Sequence, residues 1–183
     1  ISLSYYGGET ALAAYAVIAY VAFFVQIMIQ SVGDGSQPLI SVYRGAGDAD
    51  AVRRLRNTNY LVAIAFGFVG LGIMFAVRNA IPLLFGASDI VKPVIAYALP
   101  VFSICYIFYG FTHTTTSYFY AVDDSRSSNT LVIAEAIIVC VVVFIMGLLF
   151  QVDGIWFSPT VLQMLLCIIA GTLLYRRHKA QKE

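Results

Sequence analysis

The chain has 183 residues, of which 60% are hydrophobic and only 11% charged, with a formal net charge of +1. A soluble domain carries roughly a quarter charged residues, so this composition excludes a water-solvated surface. The near-neutral balance leaves no basic surplus for a nucleic-acid partner, and the lysines and arginines that are present serve topology instead.

The charges lie in clusters. The uncharged stretches between them mostly reach the ~20 residues that cross ~30 Å of hydrocarbon at ~1.5 Å per residue. Five spans are predicted: about Ala11 to Ser31, Thr58 to Val77, Ile95 to Phe119, Asn129 to Phe150 and Ile155 to Tyr175. Inside a bilayer each must satisfy its own amides, and none shows the alternation of a barrel strand, so the fold class is an all-α polytopic membrane helix bundle. Alternating the loops puts Arg44, Arg53, Arg54, Arg56, Arg126, Arg176, Arg177, Lys179 and Lys182 on one side, against Arg78 and Lys92 on the other. The richer side is expected in the cytoplasm, with the C-terminus inside and the N-terminus outside. The opening Ile1-Ser2-Leu3 has neither an initiator Met nor a signal peptide, so at least one upstream helix is expected before it.

The first span carries Gln26, Gln30, Gly33 and Gln37 at helical spacing, a polar stripe. It runs into "VGDGSQPLISVYRGAGD", where Gly33, Gly35 and Pro38 predict a kink or break. Asp34, between the two glycines, reads as a turn or cap residue, with a gate contact to an arginine as the other reading. A turn at Gly45 to Asp48 leads to a short amphipathic stretch, "DAVRRLRN", with Asp48 or Asp50 as N-cap. Its arginines, Arg53, Arg54 and Arg56, read as an anchor to lipid headgroups.

Gly67, Gly70 and Gly72 give the second span a thin face for close helix packing. The loop after it, "RNAIPLLFGASDIVKP", is apolar enough to lie in the membrane interface. On the third span Tyr109, His113, Thr116 and Tyr120 share one face. Two such stripes predict either a shared water-filled cavity, where tyrosines hold organic cations, or hydrogen bonds that only fasten the bundle. Glu135 is the acid well inside a span, at a cost of about 2.5 to 3.5 kcal/mol at mid-membrane. It is either a proton or cation site facing the cavity or a carboxylate that snorkels to the surface. Loop symmetry places His113 and Glu135 at equal depth, so they form a pair unless His113 bonds a backbone carbonyl instead. Trp156, at the start of the fifth span, suits an outer aromatic belt. Cys105, Cys140 and Cys167 each fall inside a predicted span, without the spacing of a disulfide framework or a zinc site. Hydrolase and nucleotide-binding fingerprints are missing as well, so an enzyme or an ATP-driven pump has no support.

"SQPLISVYRGAGD", "YFYAVDDSRSSNTL" and "VDGIWFSP", in this order, resemble motifs of the multidrug and toxic compound extrusion (MATE) transporters. The resemblance covers nearly the whole chain and matches the C-terminal lobe from the end of helix seven to helix twelve. It implies five complete helices of a six-helix lobe over 1–175, a cytoplasmic basic tail over 176–183, and a companion N-terminal lobe. Gln37, Pro38, Gly45 and Ala46 match the motif after helix eight, and Gly154, Ile155, Trp156 and Pro159 the start of helix twelve, as structural positions. The implied activity is export of organic cations across the cytoplasmic membrane in exchange for sodium ions or protons, with no cofactor and with membrane lipids as neighbours. Gln26, Gln30, Tyr109 and His113 are the candidate substrate contacts, and Glu135 the candidate coupling residue. The related flippases of lipid-linked sugars, and a non-transporting membrane scaffold, are the competing readings.

Overall fold

The computed structural model describes residues 2–180, and their regular structure is helical. Ile1, and Gln181, Lys182 and Glu183 of the expected tail, lie outside the described residues. Helix α1 (Ser2–Gly45) leaves helical geometry at Gly8, where φ is 61°, and not near Gly33, Gly35 or Pro38. The break expected there is absent. Proline removes one donor, but in an apolar medium every other amide keeps its helical partner because no water replaces it. Neighbouring hydroxyls reinforce the turn, Ser36 Oγ donating to the Gly33 carbonyl (2.7 Å) and Ser41 Oγ to that of Gln37 (2.9 Å).

The chain reverses tightly after α1. The Gly47 amide bonds back to the Arg44 carbonyl and the Asp48 amide to that of Tyr43, a Schellman ending with Gly47 at φ 75°. Asp48 then caps the next helix by accepting from the Ala51 amide at 2.8 Å. Helix α2 (Ala49–Val77) absorbs the predicted amphipathic stretch into one continuous rod. Gly67 and Gly70 do supply a thin face: a Cβ on Gly67 would stand 2.7 Å from the Tyr106 carbonyl oxygen, and one on Gly70 2.6 Å from Val25. Gly72 faces open space, so it takes no part in that contact.

A single turn, α3 (Ile81–Leu84), and the loop around it expose Leu83, Leu84 and Ile90, the apolar surface expected of a segment lying in the interface. The third span is built from α4 (Val91–Ser103) and α5 (Cys105–Ala121), which meet at Ile104. Pro100 lacks the amide that would continue the ladder, and Ser103 Oγ takes the Leu99 carbonyl at 2.6 Å, two recognised sources of a helix irregularity.

Helix α6 (Ser125–Ala180) contains 56 residues, about 84 Å at ~1.5 Å per residue if it were straight. It is not straight. Gln151, at φ 54° and ψ −129°, is outside helical geometry, and Arg177 Nη1 lies 2.8 Å from Asp124 Oδ2 at the other end. The limb 152–180 therefore folds back along the limb 125–150. Gly154 makes the reversal possible, since a Cβ there would sit 2.0 Å from the Met146 carbonyl oxygen. With Gly7–Gly45, Ala49–Val77 and Val91–Ala121, which are also long and apolar enough to cross a membrane, this makes five passes. Phe24, Phe144, Leu148 and Ile168 are exposed on the outside of the bundle, where lipid rather than water is the natural solvent.

Two apolar cores hold the passes together. One, at the end away from the arginine cluster and on the side of Arg78 and Lys92, gathers Ile18, Ile29, Leu99, Tyr106 and Trp156. Trp156 is 1% exposed and stacks at a tilt on Tyr15, so it is a core residue and not part of an interfacial belt. The other core, at the basic end, gathers Ile40, Phe119, Leu131 and Ala170.

Candidate functional site

Between the two cores the packing changes character. On α1 the interval runs from Ile29 to Ile40, on α5 from Tyr109 to Tyr118, and on the last limb of α6 from Trp156 to Ala170. These intervals hold most of the chain's membrane-embedded polar groups, so helices that are apolar elsewhere meet here through hydrogen bonds.

Two polar threads cross the layer. In the first, Gln30 Nε2 donates to the Tyr109 hydroxyl. One turn further, Asp34 Oδ1 accepts from Ser117 Oγ (2.8 Å), His113 Nε2 (3.1 Å) and Gln37 Nε2 (3.2 Å). In the second, Thr112 Oγ1 donates to Gln163 Oε1 at 2.6 Å, and Gln163 Nε2 donates to Glu135 Oε1 at 3.2 Å. A cavity of about 360 Å³ borders both, lined by Gln30, Tyr109, Thr112, His113, Thr116, Tyr120 and Glu135, with Leu131, Val132 and Leu166. Its size falls within the range of small-molecule sites.

The expected stripe on the third span is thus brought together as one wall, and Gln30 joins it from α1. Gln26, one turn away, is not among the lining residues. His113 and Glu135 face the same cavity, as their matched depth predicts, but the direct pair does not form: His113 bonds Asp34 and Glu135 bonds Gln163. Asp34 is neither a turn nor a cap residue, and no arginine contacts it; continuous helix presents it to α5. Its side chain remains 54% exposed, so it can exchange partners.

Gln163 and Ser117 escaped the sequence reading. Gln163 is 5% exposed and is the one strongly polar side chain in the apolar run from Thr160 to Ala170, a signal that such a residue bonds across helices. Other polar contacts only fasten the bundle: Asn59 Nδ2 to Ser36 Oγ (2.6 Å), the Tyr60 and Thr115 hydroxyls (3.0 Å), and Ser41 Oγ to the Ala121 carbonyl (3.0 Å).

Among the lining side chains there is one carboxylate, two tyrosines and no lysine or arginine. Such a wall receives positive charge, through the carboxylate and the negative faces of the aromatic rings. His113 stacks on Tyr109, with centroids 5.6 Å apart, which fixes both rings against the cavity.

The model of the MatE family matches residues 1–146. The chain belongs to the MatE family. Comparison with curated proteins and with solved structures gives no significant match. MatE proteins are membrane transporters, which places the polar layer of this MatE chain in a molecule that moves a solute across the bilayer. The match takes in Gln37, Pro38, Gly45 and Ala46 and ends before Gly154, Trp156 and Pro159. In this MatE chain Gln37 bonds Asp34, Pro38 lies inside α1, and Gly45 and Ala46 carry the chain into the Schellman turn. Gly154 packs on the Met146 carbonyl, Trp156 fills a core, and Pro159 sits one turn further along the last limb, inside α6.

Proposed function

We propose that this chain is one lobe of a cation-coupled antiporter that exports drugs or other organic cations across the cytoplasmic membrane, with its C-terminus inside and a companion N-terminal lobe. The observation that carries the reading is the cavity wall: a carboxylate and tyrosines without a fixed positive charge. Glu135 is the coupling group. Among the described residues its carboxylate holds a single hydrogen bond, from Gln163, so a proton or a sodium ion competes with an organic cation for the remaining lone pairs. Gln30, Tyr109 and His113 orient the cargo, tyrosine faces taking the apolar cation and Gln30 its polar groups. A flippase of anionic lipid-linked sugars would want a cationic wall, which this cavity lacks.

Efflux of a fluorescent organic cation from cells tests the reading. Glu135→Gln keeps the shape and the hydrogen bond to Gln163 but removes the charge, so efflux falls at least about tenfold, the order of one lost charge interaction of ~1.4 kcal/mol. Gln30→Ala and Tyr109→Ala change which cations are exported. Full gradient-driven efflux in Glu135→Gln at normal protein yield contradicts the assignment of Glu135. Unchanged cargo range with lower yield in the other two makes them packing residues.

A further inference from the structure

A second cavity, of about 290 Å³, opens at the basic end of the bundle. Arg44 from α1, Arg53 and Arg56 from α2, and Arg177 and His178 from α6 line it, together with Tyr118 from α5. The guanidinium carbons of Arg56 and Arg177 stand 5.4 and 5.8 Å from the Tyr118 ring centroid, so one buried ring positions two cations. Arg177 spends Nη1 on Asp124, yet its buried Nε has no hydrogen-bond partner among the described residues. The side chains of Arg44, Arg53 and His178 bond to no described residue. Asp124 is the carboxylate bonded to this lining, and it is already engaged by the Ser127 amide and hydroxyl as well as by Arg177. Four guanidinium groups thus face one committed acid.

We propose that this cavity binds a phosphate group carried by an anionic phospholipid. Guanidinium forks match phosphate oxygens in geometry as well as charge, and basic pockets between membrane helices suit such headgroups. The cavity lies where the candidate spans Gly7–Gly45 and Ser125–Lys179 end and Ala49–Val77 begins, and headgroups flank the hydrocarbon that such spans cross. Val42 and Tyr43, next to Arg44, and Tyr175, two residues before Arg177, are exposed and supply apolar surface for the acyl chains. A phosphate held there joins the ends of α1, α2, α5 and α6.

The test is native mass spectrometry, with thermal unfolding, of the purified transporter that contains this chain, in detergent with phosphatidylglycerol, phosphatidylcholine or inorganic phosphate. Phosphatidylglycerol is expected to bind roughly tenfold more tightly than phosphatidylcholine and to raise the unfolding midpoint. The double variant Arg44→Gln/Arg53→Gln, which breaks no bond between described residues, loses that preference. Arg54→Gln removes the same charge from the same helix outside the cavity lining and retains it. Equal binding of the two lipids in the unaltered protein overturns the site. Equal loss in Arg54→Gln replaces a built pocket by diffuse surface charge, and an equal response to inorganic phosphate overturns the lipid as its source.

Discussion

Asp124 shows how one side chain serves two ends of the chain. It closes α5, its amide bonding the Phe119 carbonyl at 2.9 Å, and its carboxylate accepts from the Ser127 amide at the start of α6 while pairing with Arg177. Partial burial alone would raise its pKa, but the hydrogen bonds from Ser127 and Arg177 and the Arg177 charge outweigh that and hold it below the ordinary 3.8. A carboxylate whose folded pKa is depressed contributes stability that is present above its unfolded pKa and is lost as pH falls through the folded value. Asp124→Asn should therefore lower the thermal midpoint by a constant amount above about pH 4 and by progressively less below it. The loss, roughly 1 to 3 kcal/mol for a charge-assisted bond, is read from unfolding in detergent across pH. A constant difference down to pH 2 contradicts this account. The polar stripe of Tyr109, His113, Thr116 and Tyr120 was legible in the sequence because helical spacing is a local property. The partnerships of Asp34 with Ser117 and of Gln163 with Glu135 were not, since they join residues 83 and 28 positions apart and depend on which helices become neighbours.

At the scale of elements, Gly33, Gly35 and Pro38 do not break α1, which leaves helical geometry at Gly8 instead. The reversal inside α6 falls at Gln151, in the gap between the spans that end at Phe150 and start at Ile155. Gln151 takes a positive φ without being glycine, a conformation that packing imposes and no local preference announces. The reversal instead left its trace in Gly154, where close approach to Met146 admits no side chain. Gly154→Ala is expected to destabilise the α6 hairpin by several kcal/mol, of the order of an overpacked core or more. Gln151→Gly should stabilise it by about 1 kcal/mol by relieving the backbone. Gly72→Ala, on an open face, should be nearly neutral. Thermal midpoints of the three variants in one detergent check the series, and a Gly154→Ala midpoint equal to the unaltered protein's would mean that the hairpin closes in another way.

For the whole molecule, the number of passes followed from length and hydropathy, because the bilayer sets the length of a spanning helix before any tertiary contact forms. What composition could not place was the polar layer between two apolar cores, which exists only once five passes align their middles. In that layer two polar threads border one cavity, and each holds a carboxylate bonded by side chains of a neighbouring pass. In the proposed antiport, alternating access needs only that cation binding and cargo binding compete for the same wall. The most direct test is uptake of a fluorescent organic cation into proteoliposomes holding the transporter that contains this chain, under an imposed sodium or proton gradient. The account predicts uptake that follows one of the two gradients, collapses when that gradient is dissipated and is lost in Glu135→Gln. Folded, reconstituted protein that moves no cation under either gradient would contradict it.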